Sequence, residues 1–208
     1  MKTKSTFLAL LFAASAFALS NCSGKKDHHH EDHDHEAHDT TTAATDSAAT
    51  TEAGKPQFDV DKVFQQQLAA VYTAYLSLKE AFVASDDNKV RTEATAVKQA
   101  LSKVDMMLLS DAAHHDWMTY LGNLESSVKA IETNKDIEAQ RKSFSVLSEN
   151  LYKSAKAFGL GGTTAYYDFC PMAFNDEGAY WLSDQEAIRN PYFGDKMPTC
   201  GVVKEKLQ

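Results

Sequence analysis

Residues 60–84 read VDKVFQQQLAAVYTAYLSLKEAFVA, and the spacing of their apolar side chains decides the fold. Val60, Phe64, Leu68, Val71, Tyr75, Leu78 and Phe82 recur at intervals of three and four, the pattern that lines one face of a helix with about 3.6 residues per turn. Ser85-Asp86-Asp87-Asn88 stops this helix and supplies capping oxygens for the next. A second stripe, Val90, Ala94, Val97, Leu101, Val104 and Leu108, predicts a helix ending near Ser110-Asp111. A third carries His114, Trp117, Leu121, Leu124, Val128 and Ile131 before the turn Thr133-Asn134-Lys135. The fourth begins at Asp136, continues through Ile137, Phe144, Leu147, Leu151, Ala155 and Phe158, and closes at Gly159, Gly161 and Gly162, the residue type that left-handed C-caps favour. Each helix has one apolar face and needs the others to cover it. Short turns between them predict an all-α fold, an antiparallel four-helix bundle over residues 57–162.

Beyond Gly162 the pattern changes. Thr163–Phe169 (TTAYYDF) and Gly178–Leu182 (GAYWL) are short and aromatic, separated by the turn signal Asn175-Asp176-Glu177-Gly178. This predicts a β-hairpin or two extended pieces. Asn190-Pro191-Tyr192-Phe193-Gly194 marks a second turn. The aromatic residues of 163–208 are expected to pack on the bundle, making one domain with it.

At the N-terminus, Met1-Lys2-Thr3-Lys4 followed by FLALLFAASAFAL (7–19) has the basic and apolar parts of a signal peptide over residues 1–21. Leu19-Ser20-Asn21-Cys22 reads as a lipobox, with Cys22 as the lipidated residue of an exported, membrane-anchored protein of the periplasm or cell envelope. Asn21 departs from the small residue usual there. Losing Lys2 and Lys4 reduces 21 basic residues to 19 against 29 acidic ones, a formal charge of −10. Nucleic acid needs clustered Lys and Arg, so it is not an expected partner.

Residues 22–56 are expected to be an unfolded tether. Lys25–Asp39 reads KKDHHHEDHDHEAHD, with no large apolar side chain, and a Thr/Ala/Ser tract follows; such composition cannot offset chain entropy by burial. His28, His29, His30, His33, His35 and His38 fall within eleven residues, a density that reads as a low-affinity site for Cu(II), Zn or Ni.

The chemistry concentrates in the tail, where Cys170-Pro171-Met172 is answered by Met197-Pro198-Thr199-Cys200-Gly201. Thiolates and thioethers are soft donors that select Cu(I) or Ag(I) over Mg, Ca or Mn, with zinc a further candidate. Cys170, Met172, Met197 and Cys200 are therefore the candidate metal ligands, with copper as Cu(I) the first choice. His114 or His115 on the third helix is an expected imidazole donor to the same ion, although the two point about 100° apart on a helix. Met106, Met107 and Met118 at that end read as core filling.

The run FCPMAFNDEGAYWLSDQEAIRNPYFGDKMPTCG (169–201) resembles the signature tail of an uncharacterised domain family of bacterial envelope proteins, which also occurs fused to periplasmic adaptors of heavy-metal efflux pumps. VYTAYLSLKEAFVASD, AHHDWMTYL and QRKSFSVLSENLYKSAKAFG extend the resemblance over about residues 60–204. Phe169-Cys170-Pro171-Met172 and Lys196–Val202 are similar to the two halves of the small heavy-metal-binding motif of copper-efflux adaptors. Met197 and Val202 stand where that motif has cysteine and methionine. The resemblance implies metal handling and an efflux adaptor as partner.

Two functions follow. In one, a lipoprotein binds Cu(I) or Ag(I) and buffers it or delivers it to an efflux system. In the other, Cys170 and Cys200 form a disulfide closing a 31-residue loop in a structural or interaction module without metal. No Ser–His–Asp pattern, phosphate loop or recognisable carboxylate pair predicts an enzyme.

Overall fold

In a computed structural model, residues 51–52 and 54–208 are described. The expected signal peptide, lipidated Cys22 and the tether histidines His28, His29, His30, His33, His35 and His38 lie outside these residues. The described residues are mostly helical, with four long helices, α1 (Lys62–Val83), α2 (Asp87–Leu101), α3 (Asp111–Thr133) and α4 (Ile137–Phe158). Asp61, Asp86 and Asp136 each accept a backbone N–H of the first turn, capping α1, α2 and α4. Gly159 closes α4 at φ 78°, where a residue with Cβ would be strained.

The predicted stripes are the core. Phe64, Leu68, Val71, Tyr75, Leu78 and Phe82 of α1 are buried with Val90, Ala94, Val97 and Leu101 of α2, Trp117, Leu124, Val128 and Ile131 of α3, and Phe144, Leu147, Leu151, Ala155 and Phe158 of α4. Removing such a side chain from water stabilises by roughly 1.5–3 kcal/mol. Packing runs α1 on α2, α2 on α3 and α3 on α4. Phe64, Trp117 and Phe158 meet edge to face, with centroids 5.2–6.0 Å apart.

Three expectations need correction. Helix α2 ends at Leu101, not near Ser110. Beyond the helix Gln67 accepts the N–H of Asp105 at 2.8 Å, and Asp105 caps a single 3-10 turn at Met106–Leu108. Val104 and Leu108 still pack against the core, but from this turn. Second, the tail is more than a hairpin. Strands β2 (Ala165–Cys170) and β3 (Ala179–Ser183) pair antiparallel, and β4 (Val202–Leu207) pairs antiparallel on the other side of β2. Third, Thr51–Glu52, inside the expected tether, forms β1 and pairs parallel with β4, giving the order β1-β4-β2-β3. An unpaired β4 edge accepts any adjacent extended segment.

The sheet is tied to α1 and α4. The Tyr72 hydroxyl donates to the Ser183 carbonyl at 2.7 Å, and the Tyr75 hydroxyl accepts from Leu182 N–H at 3.1 Å. Tyr152 of α4 stacks on Tyr167 of β2 at 3.7 Å. Among the described residues no helix is long and apolar enough to cross a membrane.

Candidate functional site

Cys170 ends β2 and Cys200 precedes β4, so the β2–β4 pairing brings them together. Phe169 sits opposite Val202 in the ladder, and the two sulfurs are 2.8 Å apart. Cys170 is fully buried and Cys200 partly so. Burial pushes the Cys200 thiol up to about 11, and the hydrogen bond and charge of Cys170 add to it. The Met172 backbone N–H bonded to the sulfur acts in the opposite direction. The thiol therefore stays protonated at neutral pH, and any ion that binds must displace its proton.

Both flanking loops are held in unusual shapes. After Pro171-Met172 the chain makes a left-handed turn, with Phe174, Asn175 and Asp176 at φ 55°, 60° and 68°, closed by Gly178 N–H to the Ala173 carbonyl at 2.9 Å. Asn and Asp tolerate this region, but an aromatic residue pays strain there. Phe174 is kept in place by its edge contact with Tyr192 at 5.3 Å. On the other side, buried Asn190 donates to the Cys200 carbonyl at 2.7 Å and from its backbone to the Pro198 carbonyl at 2.9 Å. Its own side-chain oxygen accepts from Tyr192 N–H at 2.7 Å. Asn190 thus shapes the Met197–Cys200 turn. Gly201 follows at φ 147°, where a Cβ would come 2.7 Å from Trp181 and 3.1 Å from the Phe169 carbonyl.

Met172 and Met197 line one surface pocket of about 320 Å³, with Phe174, Tyr192, Phe193, Glu138 and Lys142. Neither cysteine lines this pocket; the tail brings Met172 and Met197 together there, each two or three residues along the chain from a thiol. The histidines do not join them. Trp117 of α3 packs against Phe158 at the end of α4, whereas the tail contacts Arg141 near its start, through Pro191. Seventeen residues of helix, about 25 Å, lie between. His114 is half-buried and His115 exposed, and the expected imidazole facing the thiols is absent from them. The physical reason is that α3 runs back along α4, carrying its N-terminus to the far end. Among the described residues, no three His, Cys, Asp or Glu side chains converge as a metal-holding group.

Asp168 escaped the sequence reading. It lies two residues before Cys170, is fully buried, and neither carboxylate oxygen has a hydrogen-bond partner among the described residues. Burial raises its carboxyl to about 7, against the pull of the Lys79 ammonium. Its signal was a lone acid inside an aromatic strand, obscured by the irregularity between Tyr167 and Asp168 in the ladder with β4.

Fold and site together define a small helical domain with an appended, largely antiparallel sheet that holds a close thiol pair, one thiol buried and one partly exposed. An uncharacterised family, described as "Protein of unknown function (DUF3347)", matches residues 71–163. That match spans most of α1 through α4 and stops before β2, so Cys170, Met172, Met197 and Cys200 lie beyond it. No curated protein and no solved structure matches the chain.

Proposed function

We propose that this is an exported, lipid-anchored protein that holds one Cu(I) or Ag(I) ion with Cys170 and Cys200, aided by Met172 and Met197. It buffers the ion in the envelope or passes it to the periplasmic adaptor of a heavy-metal efflux pump. In this reading the four helices act as an antiparallel bundle on which the sheet and its sulfur ligands are carried. The observation that supports it is the 2.8 Å thiol pair, with Met172 two residues beyond Cys170 and Met197 three before Cys200, both methionines lining one surface pocket. A structural disulfide needs no such neighbours, whereas a soft ion does. An ion about 2.3 Å from each sulfur in tetrahedral geometry needs the sulfurs roughly 3.8 Å apart. Loading therefore opens the pair by about 1 Å, on the side of the partly exposed Cys200.

The second reading, a Cys170–Cys200 disulfide without metal, is favoured by the sulfur separation itself, which is shorter than non-bonded sulfurs ordinarily reach. Competition of the reduced full chain against a Cu(I) chelator separates the two. Met172→Leu with Met197→Leu is expected to weaken Cu(I) binding at least tenfold while thermal unfolding stays unchanged. The tether histidines are the same in both proteins, so the difference reads the tail alone. If affinity is unchanged and thiol counting on protein from the envelope finds the pair fully oxidised, the metal reading fails.

A further inference from the structure

None of the five described methionines is buried. Met106, Met107, Met118 and Met172 are 40%, 81%, 43% and 46% exposed, and Met197 is partly exposed. The interior is filled instead by Leu, Val, Phe, Tyr, Trp and Ala. This overturns the expectation that Met106, Met107 and Met118 fill the core. A thioether on a solvent face gains little from packing, so its sulfur becomes the property to explain.

We propose a second soft-metal site on the first turns of α3, with His114, His115 and Met118 as its donors. The geometry is set by the helix. At about 100° per residue, Met118 lies roughly 40° round the axis from His114 and 60° from His115, between the two and one turn further on. Helical side chains lean toward the N-terminus, so the Met118 thioether covers the turn that carries both imidazoles. Residues three and four apart have Cβ atoms about 5–6 Å from each other, a spacing two flexible side chains bridge through one ion. Among the described residues neither imidazole takes part in a hydrogen bond or ion pair; His115 is exposed and His114 half-buried, so neither ring nitrogen is already committed. Two neutral imidazoles and a thioether make a three-donor, uncharged set. That set suits Cu(I) or Ag(I), and it lacks the fourth ligand or the thiolate that structural zinc uses. Met106 and Met107, exposed on the turn just before α3, keep further thioethers at the same end.

This site is independent of the thiol pair. About 25 Å of α4 separates the two ends, so they cannot share an ion. Solvent exposure makes it a site of fast exchange, fitted to taking up an ion rather than retaining it.

The test is a titration of the full chain with Ag(I), an air-stable monovalent soft ion, read by NMR of labelled methionine methyl groups and histidine rings. The Met118 methyl is expected to move together with the His114 and His115 rings. His114→Gln with His115→Gln should weaken the response at Met118 at least tenfold and leave Met172 and Met197 responding as before. A Met118 methyl that does not move, or that moves equally without the two histidines, overturns the proposal. Met172 and Met197 report the tail separately, so failure there does not obscure the result at α3. Both histidines are off the core, and an unchanged melting temperature of the double variant confirms that its fold persists.

Discussion

The Arg141 side chain on α4 donates from Nε to the Pro191 carbonyl at 2.9 Å, fastening the tail to the helices. The same guanidinium reaches the Phe82 carbonyl at 3.3 Å and the Ser85 hydroxyl at 2.9 Å beyond the end of α1, and pairs with Glu138 at 2.6 Å. It is 5% exposed. One buried planar cation thus joins α1, α4 and the loop that leads to Cys200. Arg141→Met keeps the apolar stem but leaves the Pro191 carbonyl without its donor and breaks the bonds to Phe82 and Ser85, and is expected to cost about 2–4 kcal/mol in chemical denaturation. Arg141→Lys should not restore the loss, because an ammonium cannot direct donors along the same fork. Full stability in the lysine variant would show that only charge matters.

Asp168 makes stability fall as pH rises. Its carboxyl titrates near 7 in the folded protein and near 3.9 in an unfolded chain. Below about pH 4 both states hold the proton and the burial has no titration penalty. Between about 4 and 7 the unfolded chain releases its proton first, so folding becomes less favourable, by on the order of 2–4 kcal/mol once pH exceeds 7. Asp168→Asn removes the titration. The variant should match the wild type near pH 4 and exceed it at pH 8 in melting temperature. A difference that does not change with pH contradicts the assignment.

At Gly201 the backbone runs close against the Trp181 indole. Gly201→Ala places a methyl 2.7 Å from the indole at a φ of 147°, which L-residues rarely adopt. The strain and displacement are expected to cost about 1–3 kcal/mol, together with a shift in tryptophan emission as Trp181 moves. A denaturation midpoint equal to wild type would mean that the turn relaxes freely.

The N-terminal segment divides at Thr51. Deleting residues 23–50 is expected to abolish weak Zn and Ni binding by the six tether histidines, with stability changed by less than about 0.5 kcal/mol. Extending the deletion through 58 removes the β1 pairing, the Phe58 N–H bond to the Ala157 carbonyl at 2.8 Å and the Phe58–Phe158 stack at 5.5 Å. That should cost about 2–4 kcal/mol by calorimetry. Equal melting of the two truncations would show that Phe58 contributes nothing.

The four helices were legible in the sequence because helix formation is read by local spacing: the stripe from Phe64 to Phe82 and the caps at Asp86 and Asp136 depend on residues within a turn of each other. The donor types were legible too, since the softness of Cys170, Met172, Met197 and Cys200 belongs to the atoms and not to the fold. What joins distant segments was not. The turn after α2 is held by Gln67 from another helix, and β4 and β1 exist as strands because β4 pairs with β2 and β1 finds the other edge of β4. Whether His114 and His115 face the thiols depended on which way α3 runs beside α4, and that is a property of packing. Local sequence determined the helices and the chemistry of the donors. Tertiary structure alone decided which donors share a place, because proximity across 30 to 100 residues is set by the burial of whole faces and by no single residue.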